Sequence, residues 1–223
     1  MDIARTVFAS RGYEVTEAAF ISTKEFNFKW KVMREKLWIF VSDYLDDAPD
    51  IVIEQFLKGA STYMFGGRHV FGDEYMRYMR SEEFILRKRP VYFKRSRRLT
   101  RSDVGTYRNL FDSVQRLLDK GLLREEDIEN TIFSWTSGTN RTKLGYCAQM
   151  FRIVVISSIF DDPSVSEDLL DYVVFHECLH LRQGYRPFNR RPHDAEFQRQ
   201  ERLYPGFEEM ERQLKTLPRG AKS

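Results

Sequence analysis

Three of the four histidines in the chain lie within eighteen residues, as His176-Glu-Cys-Leu-His180 followed by His193. Histidines at positions i and i+4 of a helix project from one face about one turn apart, so their imidazoles can share one metal ion. Glu177, between them, can reach a water held by such an ion and act as its general base, which is the chemistry the H-E-x-x-H pattern encodes. The pattern therefore predicts one catalytic Zn2+ per chain. Such a site needs a third protein ligand and one open position. His193 leads for that role, because thirteen residues separate it from His180 and a loop rich in Pro, Arg and Asn allows the chain to reverse. Asp194 and Glu196 compete as ligand or as the acid behind a ligand, and Glu201 is a more distant option. One nearby acid is expected to orient His193 through its second ring nitrogen. Tyr185, Tyr204 and Arg186 are close enough in sequence to donate to a developing oxyanion, or simply to pack or face solvent. Against the metal stands a plainer reading, two helix histidines capped by backbone carbonyls in a core. That reading leaves His176, Glu177 and His180 in need of other polar partners once buried.

The elements that must carry these residues follow from periodicity. Residues 166–182 read as a helix, N-capped by Ser164 or Ser166, with acids in its first turn and Gly184 at its end. It is apolar on most sides and should run through a core. Upstream, Thr131 to Thr136, Leu144 to Ala148 and Phe151 to Ser157 read as β segments forming an antiparallel sheet. A substrate peptide is expected to pair with that sheet near Phe151 to Ser157. Downstream, helices are expected at 194–203 and 207–214, split by Pro205-Gly206. Nearer the N-terminus, Phe26 to Val32 alternates with period two and pairs with Leu37 to Val41 as a hairpin. Helices follow at 50–65, 73–80 and 106–120. The fold expected is α+β: an antiparallel sheet packed on a buried active-site helix carrying H-E-x-x-H, with further helices around it. Its parts are an N-terminal hairpin and helix unit (1–65), a helical insert with a basic connector (66–125) and a zinc-dependent catalytic region (126–218), together one compact domain. No internal repeat is apparent.

Composition narrows the class. With 223 residues, 42% hydrophobic and 14% aromatic, the chain can bury a core, and its net charge of +3 implies no global field for polyanions. Cys147 and Cys178 are too few for a disulfide framework, which favours a reducing, cytoplasmic setting. No apolar run is long enough for a membrane span, and the N-terminus lacks a signal pattern. Locally, residues 87–101 carry eight Arg or Lys and no acid. Lys94, Arg95, Arg97 and Arg98 could contact nucleic acid phosphates; alternatively the segment is a basic flap neutralised by the acidic stretch Asp43 to Asp50. His69 is read as a loop residue, the aromatic run from Phe26 to Phe40 as core, and Arg152 as flanking the sheet.

Val173-Val-Phe-His-Glu-Cys-Leu-His-Leu181, His193-Asp-Ala-Glu-Phe197, Glu201-Arg-Leu-Tyr-Pro205 and Gly145-Tyr-Cys147 together resemble the SprT-like and YgjP-like zinc metallopeptidases, relatives of the minigluzincins. The resemblance covers about residues 130–215. It implies His176, His180 and His193 as ligands and Glu177 as base. Cys178 stands where that family usually has Leu, and residues 66–125 have no counterpart in it. The expectation is a zinc metalloprotease, a peptide-bond hydrolase. Its alternatives are a SprT-type protease acting on DNA-associated proteins, a zinc-stabilised nucleic-acid-binding protein without activity, and a zinc hydrolase of small molecules.

Overall fold

The computed structural model describes residues 2–67, 70–188 and 191–217. It divides into two units, Met1–Arg95 and Ser96–Ser223, so the boundary falls at 95/96 and not near 65 and 125. The expected insert is split because its first helices fold with the N-terminal unit and the helix at Leu110–Asp119 folds with the second. His69 lies outside the described residues.

Unit 1 begins with α1 (Asp2–Ala9) and β1 (Glu14–Ile21), neither of which the periodicity revealed. The hairpin is β2 (Phe28–Met33) and β3 (Lys36–Ser42), turned at Arg34 with φ 55°. The strand order is β1-β3-β2, with β1 parallel and β2 antiparallel to β3. Leu37, Ile39 and Val41 alternate into the core. A 3-10 turn at Asp43–Leu45 leads to α2 (Asp50–Met64), α3 (Asp73–Arg80) and α4 (Glu82–Arg95).

The expected basic connector is thus largely α4. Its buried residues Phe84, Ile85, Lys88, Arg89 and Tyr92 have helical spacing. Charge at two core-facing positions and Pro90 within the helix disguise the pattern. Lys88 reaches Asp46 and Asp47 at 3.0 and 2.8 Å, so its stem is buried while its ammonium is paired.

Unit 2 holds α5 (Leu110–Asp119), α6 (Glu125–Ile128), β4 (Ile132–Trp135), β5 (Gly145–Ala148) and β6 (Ile153–Ile156). The helix α5 starts later than expected because Asn109 caps it, accepting from the Phe111 amide. The sheet order is β4-β6-β5, and β4 runs parallel to β6, so the sheet is mixed and not antiparallel. After β4 the chain crosses to the far edge, returns as β5 and turns into the centre as β6. Because β6 is bonded on both sides, a peptide cannot pair there, and β5 is the edge nearest the histidines' helix.

That helix, α7 (Glu167–Gln183), is capped by Ser166, which accepts from the Leu169 amide, and ends at Gly184 with φ 69°. It is buried along nearly all its length, against α5, β5, β6, α8 (Ala195–Glu201) and α9 (Phe207–Thr216). Two ionic ties fix its rotation. Asp171, fully buried, receives Arg116 and Ser113 from α5; Arg182 grips Asp127 of α6 at 2.7 Å and the Leu122 carbonyl. Arg152, left-handed with φ 49°, binds the carbonyls of Asp127 and Glu129, so it joins α6 to the sheet.

The protein is therefore α+β with two small mixed sheets among its described residues. Both units run helix, edge strand, edge strand, central strand, 3-10 turn, long helix, shorter helix, final helix, with α6 and a 3-10 turn at Gln149–Phe151 as additions in unit 2. The sequence shows no internal repeat, yet the two units share this order of elements. The two units share strand order and strand direction, not residue identity, which hides the likeness from inspection of the sequence.

Candidate metal centre

The long helix α7 presents His176 and His180 from one face, ring centroids 5.3 Å apart, and His193 comes from the segment that enters α8. One ring nitrogen from each of the three lies within 4.8 Å of the others. Nε2 of His193 and Nε2 of His180 are 3.1 Å apart. Two imidazoles bound tetrahedrally to one ion at about 2.0–2.1 Å would have nitrogens about 3.3 Å apart, so this spacing fits a shared ion. Phe197 packs against all three rings at 4.6–5.0 Å and forms an apolar wall beneath them.

The carboxylate of Glu201, at the end of α8, lies 2.5 Å from Nδ1 of His176 and also accepts from the Tyr172 hydroxyl at 3.3 Å. The single proton of that hydroxyl is shared with the nearer carboxylate of Glu211 on α9, at 2.8 Å. Burial works against ionising Glu201, yet the bonds from His176 and Tyr172 outweigh it and hold its carboxyl below the ordinary value. An ionised Glu201 accepts a hydrogen bond from Nδ1–H, so in the neutral imidazole Nε2 of His176 carries the lone pair for a cation. Burial lowers the pKa of His176, but that bond together with the charges of Glu177, Glu201 and Glu211 outweighs it and raises the value. Burial and the two neighbouring imidazoles push His180 down to about 4, leaving it neutral and a donor of its lone pair at neutral pH. His193 is lowered by burial and by His176. The donor set suits a metal ion.

Glu177 is buried on the same helix. Burial pushes its carboxyl up to about 7, moderated by His176 and Lys143. The edge strand β5 approaches it through Gly145, where a Cβ would stand 2.7 Å from Oε1. Gly145 therefore makes room for the carboxylate.

The other expected residues fall elsewhere. Asp194 caps α8, accepting from the Phe197 amide at 2.9 Å, and pairs with Arg186 at 2.6 Å. Glu196 pairs with Arg199 and Gln200, each at 2.6 Å. Neither acid joins the cluster, because Asp194 faces the α8 amides and Glu196 faces outward along α8. The acid that orients a histidine acts on His176, not His193. Tyr204 is buried and donates to the Asp168 carbonyl at 2.9 Å, and Arg186 is occupied by Asp194, so neither is free as an oxyanion donor. Tyr185, half-buried just beyond Gly184, retains no assigned role. In unit 1, Arg95 is clamped by Asp43 at 2.5 and 2.8 Å and by the Thr23 carbonyl, which removes it from the nucleic-acid set. Lys94, Arg97 and Arg98 are exposed.

Sequence reasoning missed Tyr172, and it marked Phe197 and Gly145 only through the motif resemblance, without a role at the centre. One signal was available: His193, Phe197 and Glu201 recur every four residues, the period of one helical face. Comparison with protein-family models, with curated proteins and with solved structures finds no match.

Proposed function

We propose that the protein is a zinc-dependent metallopeptidase. The observation that carries this reading is the convergence of His176, His180 and His193 beside Glu177, a buried carboxyl titrating near neutrality. The motif resemblance to SprT-like and YgjP-like peptidases supports it from the sequence side. His176, His180 and His193 would hold the zinc, which when bound would supply Lewis acidity toward a scissile carbonyl. Glu177 accepts a proton from the attacking water as its oxygen bonds to the carbonyl carbon, then delivers that proton to the departing nitrogen as the C–N bond breaks. Glu201 and Tyr172 keep His176 in one tautomer and one orientation throughout. An extended peptide pairs along β5, whose Gly145 brings the main chain against Glu177.

The nucleic-acid alternative is weakened because Asp43, Asp46 and Asp47 neutralise Arg95 and Lys88, leaving Lys94, Arg97 and Arg98 as its remaining contacts. No helix among the described residues is long and apolar enough to cross a membrane. Cys147 and Cys178 are free thiols, which suits the reducing cytoplasm.

The test is Glu177→Gln. Metal analysis should show one zinc per chain in both forms, and cleavage of unfolded casein should fall by about 10²–10⁴ in the variant. Casein cleavage that survives the substitution, or wild-type protein that takes up no zinc, would reject the reading.

A further inference from the structure

The repeat between the units extends to single residues. Ser42, the last residue of β3, and Ser157, the first after β6, are fully buried and each takes the N-cap position of a 3-10 turn. Each donates its amide to the residue before the second strand, Asn27 or Leu144, at 2.9 and 2.8 Å. Each hydroxyl bonds the link between the first two strands, at Thr23 or Asn140. Val41-Ser-Asp-Tyr-Leu-Asp-Asp47 stands opposite Ile156-Ser-Ser-Ile-Phe-Asp-Asp162. The sheet register then equates Phe28, which pairs with Val41, with Gly145, which pairs with Ile156.

What fills the corresponding centre is different. Where Gly145 meets the Glu177 carboxylate, the Phe28 ring meets Phe56 of α2 edge-on at 5.5 Å. Phe56 thereby corresponds to Glu177, and helix spacing matches Gln55 to His176 and Gly59 to His180. Phe71, ahead of α3, packs on Phe56 and into the space beside Gly59. Gln55 accepts from the Tyr75 amide at 3.0 Å. Aromatic packing thus replaces both metal ligation and the base.

The edge that carries substrate in the peptidase reading is nevertheless kept. β2 corresponds to β5 and ends its sheet, with all its residues after Phe28 exposed. Along it Trp30 and Val32, each 39% exposed, share the side of Phe28, while Lys29 and Lys31 occupy the other. At the turn Arg34 and Lys36 flank Glu35 and leave a net positive charge. An exposed edge strand with two such faces is a template for an added strand of complementary alternation.

We infer that unit 1 is a copy of the unit holding the candidate metal centre, with aromatic packing in its place among the described residues, and serves as a docking module. It takes an extended polypeptide segment with alternating acidic and apolar residues as a fourth strand along β2. The inference deepens the peptidase reading, since the equivalence of β2 with a substrate edge rests on it.

The probe is a ten-residue peptide of alternating glutamate and valine with a terminal fluorophore and a benzophenone, added to the full chain carrying Glu177→Gln. Fluorescence anisotropy should show binding that is unchanged by EDTA and weakened at least tenfold in Lys29→Glu/Lys31→Glu. A twin peptide N-methylated at alternate residues, with charge intact but main-chain pairing removed, should bind at least tenfold more weakly. Photo-crosslinks should map to residues 28–36. No binding, equal binding by the charge-reversed chain or by the methylated twin, or crosslinks confined to residues 145–148 would overturn the inference. If the wild-type chain cuts no peptide while the β2 crosslinks persist, the peptidase reading fails and the docking edge stands.

Discussion

Glu201 lies 2.5 Å from Nδ1 of His176, and this contact decides which nitrogen of that imidazole faces the cluster. The two residues are 25 apart in sequence and belong to different helices. Removing the negative charge at Glu201 should therefore act on metal affinity before it acts on fold. Glu201→Gln is expected to weaken zinc binding by about 10–100-fold, read by competition with a chromophoric chelator. Tyr172→Phe, which frees Glu201 from one of its bonds, should weaken it less. Unchanged affinity in Glu201→Gln would show that His176 needs no partner.

The third ligand can be read from stability. At a zinc concentration 100 times Kd, the wild-type fold should gain about 2.7 kcal/mol. A chain of this size should then melt several degrees higher, at about 2–4 °C for each kcal/mol. Calorimetry should show that gain abolished in His193→Ala and kept in Glu196→Gln. The reverse pattern would move the ligand to Glu196.

Gly145→Ala tests the approach of β5 to Glu177. The added Cβ would come within 2.7 Å of Oε1 and 3.0 Å of Cγ of that side chain, so the carboxylate must shift. A cost of about 1–3 kcal/mol to stability is expected from overpacking. Peptide hydrolysis should fall at least tenfold while zinc content stays at one per chain. Full activity in the alanine variant would show that Glu177 does not depend on that space.

Asp127 gives a pH dependence remote from the histidines' own titration. Burial tends to raise its pKa, but Arg182, the Arg124 amide and the Arg124 side chain lower it below the ordinary value. With the folded carboxyl titrating below the unfolded one, its stabilisation is complete above about pH 4 and fades as pH falls through the folded pKa. Asp127→Asn should cost about 2–3 kcal/mol at pH 7, less than for fully buried pairs because Arg182 is partly exposed. In urea titrations the difference from wild type should shrink as pH drops below 4. A deficit that stays constant with pH would mean the pair contributes through packing alone.

The sequence by itself determined the elements whose signals are local. Ser166, the acidic first turn and Gly184 bracket α7, and the spacing of His176 and His180 places both on one face, because a helix fixes neighbours three and four residues away. The alternation in β2 and β3 and the apolar runs of β4 and β6 were legible for the same reason. Only the tertiary structure decided that β4 runs parallel to β6, that β5 is the edge beside Glu177, and that Glu201 serves His176 while Asp194 and Glu196 turn to other partners. Strand order depends on the path of residues 136–144 across the sheet, and Glu201 finds His176 only when α8 folds back over α7; neither path has a short-range signature. The helix α4 was hidden because Lys88 and Arg89 occupy buried positions, tolerable only where acids such as Asp46 and Asp47 arrive from another part of the chain. The repeated unit was hidden because what the two copies share is hydrogen-bonded register. Phe56 can replace Glu177 in that frame without leaving a trace in any local pattern.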